Sequence, residues 1–351
     1  PSARSPHTSP AAPSTTTSNT SHPAKPETIL FHDGHIMNII KMDVGGTWTR
    51  ISSPHGVDKI PTPSVLHRQG IPHDQLVQEL IRLLADHAPR NSTAYVSLGA
   101  AYDQETGIAY GSAPLWGPGQ WDVPIRHLLE GVRPDVRWSI VNDVSAGLAH
   151  LVSKYARFSD RYVTYLTISS GIALRTAHAP TRCIEVDAGG LQGEVGHLPA
   201  ASFAPETVRS LKCDCGRRGH IAAISSGPAI PRVACALGLV KNVCPITELD
   251  VFCDNEEGRL LLRTIVEPIA QIVRCVCTLQ PHTDLIGIGG GVPAGIGEAY
   301  KQELMRQLSA ESSYADSMRT RSTRIMIVGD HEVSPEIGAQ ILITEKFQIQ
   351  K

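Results

Sequence analysis

Ile39-Ile40-Lys41-Met42-Asp43-Val44-Gly45-Gly46-Thr47-Trp48-Thr49-Arg50-Ile51 is the stretch from which the rest of the chain can be read. A strand-like run meets a Gly-Gly-Thr corner and then resumes, so the pattern predicts a β-hairpin. The same corner collects chemistry. Gly45 and Gly46 leave backbone amides unshielded, Thr47 adds a hydroxyl and Asp43 a carboxylate. Bare amides suit phosphate oxygens, and a nearby carboxylate can position a magnesium ion or its waters. Taken alone, the string is more commonly a plain hairpin corner, so its weight comes from the motifs around it.

Working outward, residues 74–88 carry helical apolar spacing (Leu76, Leu80, Ile81, Leu84), and 94–98 reads as a short strand. A Gly/Pro/Trp-rich loop follows over 107–124. A helix near 125–129 and a strand over 138–141 then lead to Asn142-Asp143 and a small-residue helix. Residues 162–169 form a strand ending in Ser169-Ser170-Gly171, and 285–288 a buried strand ending in Gly289-Gly290-Gly291. Strands alternating with helices, punctuated by glycine or polar residues, predict two α/β lobes facing a cleft. The apolar run 260–279 is interrupted by Arg263, Glu267, Pro268 and Arg274, which predicts a buried, kinked helix and no membrane span.

With 351 residues, 41% hydrophobic content and a formal charge of -2, the chain can bury one large core or two lobes. Lys and Arg are dispersed, without the basic stripe that nucleic-acid binding needs. The eight cysteines lack the dense spacing of a small secreted framework, so most read as buried thiols in a reducing cytoplasm. The Ser/Thr/Pro/Ala-rich start has neither the basic opening nor the apolar core of a secretory signal, and residues 1–35 read as a disordered tail.

Cys213-Asp214-Cys215-Gly216-Arg217-Arg218-Gly219-His220, with His197 upstream, has the residue types of a four-ligand structural zinc site: His197, Cys213, Cys215 and His220. At Asn142-Asp143 an amide can orient a substrate hydroxyl while the carboxylate accepts its proton. Asp143 as a simple helix cap is the competing reading. Ser170 and Gly171 either hold a phosphate or end a strand, and Gly289, Gly290 and Gly291 either admit a nucleotide or form a packing turn. Glu194 is a polyol contact or a solvated loop acid.

Taken in order, Asp43-x-Gly-Gly-Thr-x-x-Arg50, Asn142-Asp143, Gly193-Glu-x-Gly-His197, Cys213-x-Cys-Gly-x-x-Gly219, Ser226-Gly227 and Gly289-Gly-Gly-Val292 resemble the ROK family of sugar kinases and regulators, over roughly 39–343. The resemblance implies an actin-like, hexokinase-like (ribonuclease H-like) fold. It places a small lobe at 36–143 plus 336–351, with the closing helix, and a large lobe with the zinc knuckle at 144–335. It also implies ATP with Mg2+, a small-molecule polyol acceptor and a homodimer. Carried onto matching positions, Asp143 is the catalytic base, and Asn142, Glu194 and His197 are substrate contacts. Asp43, Gly45, Gly46 and Thr47 form the first phosphate loop, Ser170 and Gly171 the second, and Gly289 to Gly291 the adenosine side.

The departures are as informative. His220 replaces the third knuckle cysteine, and Ala222 stands where the family usually has a sugar-gripping glutamate. Ser169-Ser170-Gly171-Ile172-Ala173 is bulkier than the usual second phosphate loop, and Pro114-Leu115-Trp116 lacks the usual asparagine. The linker Leu198–Lys212 is longer than the family's. A site that loses hydroxyl partners should serve a different hydroxyl pattern. The expectation is a kinase for a C7-cyclitol of aminocyclitol antibiotic biosynthesis, of the valiolone type, phosphorylated on an exocyclic primary alcohol. The alternatives are an ordinary glucokinase or N-acetylhexosamine kinase, and a non-catalytic sugar sensor.

Overall fold

The computed structural model describes residues 31–32, 35–36, 38–53, 56–187, 189–200, 204–244, 255–280, 282–310, 322–329 and 331–350. Most of the expected tail therefore lies outside the described residues, as do Cys253 and Asp330. Within residues 31–36, β1 (Phe31–His32) and β2 (His35–Ile36) pair antiparallel, with Phe31 opposite Ile36.

The predicted hairpin is β3 (Ile39–Val44) and β4 (Trp48–Ser53), in a register that sets Asp43 opposite Arg50. β5 (Gly56–Pro61) pairs antiparallel with β4. Helix α1 (His73–His87) buries Leu76, Leu80, Ile81 and Leu84 with Ile40, Met42 and Val96 of the sheet. Each such leucine or isoleucine contributes about 1.5–3 kcal/mol by leaving water. β6 (Thr93–Leu98), the small ladder of β7 (Ala101–Asp103) with β8 (Ile108–Gly111), helices α2 (Ala113–Trp116) and α3 (Ile125–Val132), and β9 (Arg137–Asn142) complete this lobe. Among the described residues the strands order as β5-β4-β3-β6-β9, with β3, β6 and β9 parallel.

The stretch 107–124, read from sequence as loop, thus holds a strand and one helical turn. Its helix is too short to show apolar periodicity. Ser112 starts it, its Oγ accepting from Leu115 N at 3.3 Å and donating to the Gly99 carbonyl at 2.7 Å.

Helix α4 (Asp143–Tyr155) leads into the second lobe, where β10 (Tyr162–Ile168) and β11 (Ile172–His178) form a hairpin. With β12 (Cys183–Glu185), β13 (Thr283–Gly289), β14 (Arg324–Ile327) and β15 (Gln348–Gln350), the described strands order as β14-β13-β10-β11-β12-β15. The final strand, grouped with the small lobe in the sequence reading, pairs with β12 of this second sheet.

Asn255 caps the long helix Glu256–Leu279, accepting from Gly258 N at 2.7 Å, and the helix carries Pro268 in its interior. Leu261, Ile265, Ile269 and Val273 of this helix join the core around Ile286 and Ile288. Cys275 is exposed and Cys277 buried, so the thiols two residues apart do face different surroundings, and only one follows the buried reading. Between the sheets, Val144, Leu148 and Leu151 of α4 pack with Tyr165, Ala339 and Leu342, the last two from helix Pro335–Thr344. Two α/β lobes thereby flank a cleft. Among the described residues no helix is long and apolar enough to cross a membrane.

Candidate active site

The register of the three parallel strands builds the first wall. Val44 is opposite Leu98, and Leu98 opposite Asn142, so the chain leaves all three strands at one level. Gly45, Gly99 and Asp143 therefore emerge side by side, where α/β sheets present their functional groups. A Cβ on Gly99 would lie 3.5 Å from Asp143 Oδ2 and 3.7 Å from the Gly45 Cα.

Asn142 caps α4. Its Oδ1 accepts from Val144 N and Ser145 N, each at 3.1 Å, and its Nδ2 donates to the Ala100 carbonyl at 3.0 Å and to Asp143 Oδ1 at 3.1 Å. Both amide hydrogens and the oxygen thus have partners within the protein, and Asn142 also lines the cleft. Asp143 Oδ1 also accepts from Val144 N at 2.9 Å, while Oδ2 has no protein partner among the described residues. Burial, followed by the negative charge of Glu194, pushes the Asp143 carboxyl up to about 7 against the Val144 N–H and Arg175.

Asp43 is buried beneath the hairpin corner. It accepts from Ser97 Oγ at 3.0 Å and from Arg50 Nη1 at 3.2 Å. Burial, then Glu336 and Asp143, raise it to about 7, with Arg50 and Ser97 opposing. A carboxylate so placed, with each oxygen holding one protein donor, suits the waters of a divalent cation, whose charge relieves the crowding of acids.

The second wall comes from the hairpin turn Ser169-Ser170-Gly171, closed by Ser169 N donating to the Gly171 carbonyl at 2.9 Å. It faces the first glycine corner. A Cβ on Gly46 would overlap Pro114 Cβ and stand 2.9 Å from Ser170 Oγ, so only glycine permits this approach. Gly45, Gly46, Asp143, Ser170, Gly171 and Glu194 line one cleft of about 300 Å³, together with Asn142, His197, Cys213, Cys215 and Ala222. Glu194 is also raised to about 7, by burial first, with Arg175 opposing and Asp187 adding to the rise.

The four expected zinc ligands come together, their donor atoms all within 4.8 Å of one another. His197 Nδ1 is 3.9 Å from Cys213 Sγ, and His220 Nδ1 is 3.3 Å from Cys215 Sγ. Tetrahedral zinc with nitrogen and sulfur ligands has edges of about 3.3–3.8 Å, so the residues fit that ion. The long linker folds back along the knuckle, with Ala200 N on the Gly219 carbonyl and Ile221 N on the Leu198 carbonyl.

Not every candidate reaches the cleft lining. Asp43 and Thr47 flank the Gly45-Gly46 corner, and the Thr47 carbonyl takes His67 Nε2 at 2.7 Å. Gly289 and Gly290 end β13 against Tyr165 and the Ile168 backbone, whereas a Cβ on Gly291 meets open space. Three residues not anticipated from sequence belong to the site: Gln120 and Asp214 line the cleft, and Arg175 is buried behind it. Arg175 had a readable signal. Ala173-x-Arg175-x-Ala177 alternates so that the charge shares the small-residue face of a strand, where it must answer to buried acids.

Two α/β lobes about this cleft make the actin-like, hexokinase-like fold, and the chain is a kinase. The chain belongs to the ROK family, whose profile matches residues 61–346. A 2-epi-5-epi-valiolone 7-kinase from Actinoplanes sp. is 40% identical over 325 residues, covering 85% of this chain and 90% of that protein. A C(7)-cyclitol 7-kinase from Streptomyces hygroscopicus subsp. jinggangensis is 28% identical over 208 residues, 54% of this chain and 55% of that one. Among solved structures, a ROK family glucokinase from Streptomyces griseus in complex with glucose and AMPPNP shares the fold with a TM-score of 0.62 at 15% identity, covering 86% of this chain and 97% of that one. A ROK hexokinase from Thermus thermophilus does so with a TM-score of 0.56 at 19% identity, over 88% and 100% of the two chains.

Proposed function

We propose that this chain transfers the terminal phosphoryl group of ATP to the exocyclic primary alcohol of a C7-cyclitol of the valiolone type. The observation that carries the reading is one cleft lined by Asp143 together with Gly45, Gly46, Ser170, Gly171 and Ala222. The 40% identical Actinoplanes kinase supports the acceptor class.

In this reading Asp143 Oδ2 accepts the proton of the attacking hydroxyl, a role worth about 10²–10⁴ in rate. Asn142 acts through Asp143 by fixing the carboxylate at the helix start. Glu194 and His197 hold ring hydroxyls. Gly45, Gly46 and Thr47 on one side, and Ser170 and Gly171 on the other, offer amides and hydroxyls to the phosphates, while Gly289, Gly290 and Gly291 border the adenosine. Asp43 orients the waters of Mg2+. ATP supplies the phosphoryl group and Mg2+ the counter-charge, and the chain's contribution is positioning and charge. His197, Cys213, Cys215 and His220 hold Zn2+ as a brace for the acceptor end. Family membership supports a homodimer. The same reading places the reaction in the cytoplasm, within antibiotic aminocyclitol synthesis.

The test is mass spectrometry of the chain incubated with Mg-ATP and a panel of a valiolone-type cyclitol, glucose, mannose, N-acetylglucosamine and N-acetylmannosamine. Phosphorylation of the cyclitol ahead of the hexoses is expected. Rapid glucose turnover would overturn the acceptor assignment and favour an ordinary hexose kinase, and no turnover at all would favour a sugar sensor.

A further inference from the structure

Arg175 is a buried cation on which the charges of Glu194, Asp143 and Asp187 all bear. It is 2% exposed, on the face of β11 that carries Ala173 and Ala177. Its Nη2 donates to the Gly190 carbonyl at 2.7 Å, while Nε and Nη1 are buried without a hydrogen-bond partner. A guanidinium withdrawn from water is costly unless nearby negative charge compensates it. Asp143 from α4, Glu194 from the turn before Val195–His197, and Asp187 from the segment after β12 supply that charge, and none of them takes a hydrogen bond from it.

The segment that Arg175 grips is the one that carries Glu194. A Cβ on Gly193 would stand 3.0 Å from Arg175 Nη1 and overlap the Leu174 carbonyl oxygen, and Gly193 has φ +80°. Asp187 Oδ1 accepts from Gln192 N at 2.6 Å, closing the same segment into a turn. Its tip reaches the other lobe, since a Cβ on Gly190 would lie 2.7 Å from the Tyr102 carbonyl oxygen. One guanidinium thus lies under the loop, behind the acids and beside the junction of the lobes.

We propose that Arg175 is a positioning residue of the transfer: anchored to the Gly190 carbonyl and set against Gly193, it fixes the segment that carries Glu194 at the cleft wall and places a positive charge behind Asp143. The inference rests on the reading of Asp143 as the proton acceptor. The charges bearing on Asp143 are Glu194, Arg175 and Asp43, the last of these facing Arg50 and Glu336, and Asp187 bears on both Arg175 and Glu194. Arg175 holds the Asp143 carboxyl down, so its loss sends that carboxyl further up and leaves less of the base ionised at neutral pH.

The experiment compares wild type, Arg175→Gln and Arg175→Lys in the full chain, with Mg-ATP and the acceptor that wild type uses, over roughly pH 5.5–9. Gln keeps a donor for Gly190 without the charge, and Lys keeps the charge without the fork. Arg175→Gln is expected to lower kcat/KM for the acceptor about 100-fold at neutral pH and to move its acid limb up by about one unit, with KM for ATP within about threefold. Arg175→Lys is expected to keep the limb within about 0.3 unit and recover at least about tenfold of the loss. An unmoved limb in Arg175→Gln, or a Lys variant no better than Gln, overturns the proposal and leaves Arg175 a structural residue. If Arg175→Gln does not fold, the Lys variant decides alone, because a limb displaced by about a unit with the charge retained contradicts the proposal. An inert wild type removes the phosphotransfer reading and this inference together, whereas an active wild type with an unmoved limb removes this inference alone.

Discussion

Asn142 Nδ2 donates to Asp143 Oδ1 at 3.1 Å, and this bond divides the work at the start of α4 between two adjacent residues. Asn142 satisfies the helix terminus, accepting from Val144 N and Ser145 N, and so leaves Asp143 Oδ2 to the cleft. Asp143→Asn is therefore expected to lose about 10²–10⁴ in kcat with no loss of melting temperature. Asn142→Ala is expected to lose rate and also about 1 kcal/mol of stability, because the cap goes with it. Steady-state kinetics beside thermal unfolding separate the two, and an Asp143→Asn enzyme with wild-type kcat would reassign the base.

The acid limb of activity follows from the raised carboxyl. As the proposed base Asp143 would work ionised, and burial first and Glu194 second push its carboxyl up to about 7. Activity should therefore climb as pH passes through about 7. Glu194→Gln should move the limb to lower pH while raising KM for the acceptor. For stability the sign is reversed. A carboxyl raised from 3.8 to about 7 on folding is protonated in the folded chain while ionised in the unfolded one, so stability falls as pH rises through that window. Asp143→Asn should flatten this part of the dependence of melting temperature on pH, and an unchanged slope would contradict the burial of its charge.

The hairpin at Asp43 and the Asn142-Asp143 pair were legible in the sequence because each is a local pattern: apolar strand, then glycine or polar residues at its carboxyl end. The knuckle was legible for the same reason, its ligands lying within a short span of chain. The capping role of Asn142 could not be read locally, because it depends on which partners surround the amide, and one of them, the Ala100 carbonyl, lies 42 residues away in the chain. Arg175 was legible only as a charge on a small-residue strand face, since its place beside Gly190 and Gly193 depends on a segment that follows in the chain. The pairing of Cys183–Glu185 with Gln348–Gln350 is a contact between distant segments that no local periodicity records.

The approach of Gly46 to Ser170 makes the cleft sensitive to a single methyl group. Gly46→Ala places that group against Pro114 and Ser170 Oγ, so the phosphate walls must part. Misplacement by about 1 Å costs about 10² in rate. Calorimetry with a non-hydrolysable ATP analogue and steady-state kinetics should show weaker nucleotide binding and a lower kcat, while wild-type values would mean that the observed approach is not the working one.

Zinc should be present at about one ion per chain, because two thiolates and two imidazoles fit a closed tetrahedral site. His220→Ala and Cys215→Ser should lose the metal and raise KM for the acceptor more than KM for ATP, since His197, Cys213 and Cys215 line the same cleft as Ala222 and Glu194. His220→Cys should retain it. Elemental analysis of the purified proteins checks this directly, and metal-free wild type with normal kinetics would dismiss the site.

Ala222 offers the sharpest test of why this cleft takes its acceptor. It lines the cleft beside Gly196, with its Cβ 3.3 Å from where a Gly196 Cβ would stand, and presents a methyl group where resemblance to the family leads one to expect a carboxylate. A missing hydrogen-bond partner in a site lowers discrimination in favour of substrates that carry the matching hydroxyl, and restoring it should raise that discrimination. Ala222→Glu is therefore expected to increase the ratio of kcat/KM for glucose to that for the cyclitol by about tenfold or more. Competition between the two acceptors in one reaction, read by mass spectrometry, measures the ratio without separate enzyme titrations. A ratio unchanged in a folded, zinc-loaded variant would move the basis of acceptor choice from Ala222 to the other cleft residues, Gln120 and Asp214 first among them.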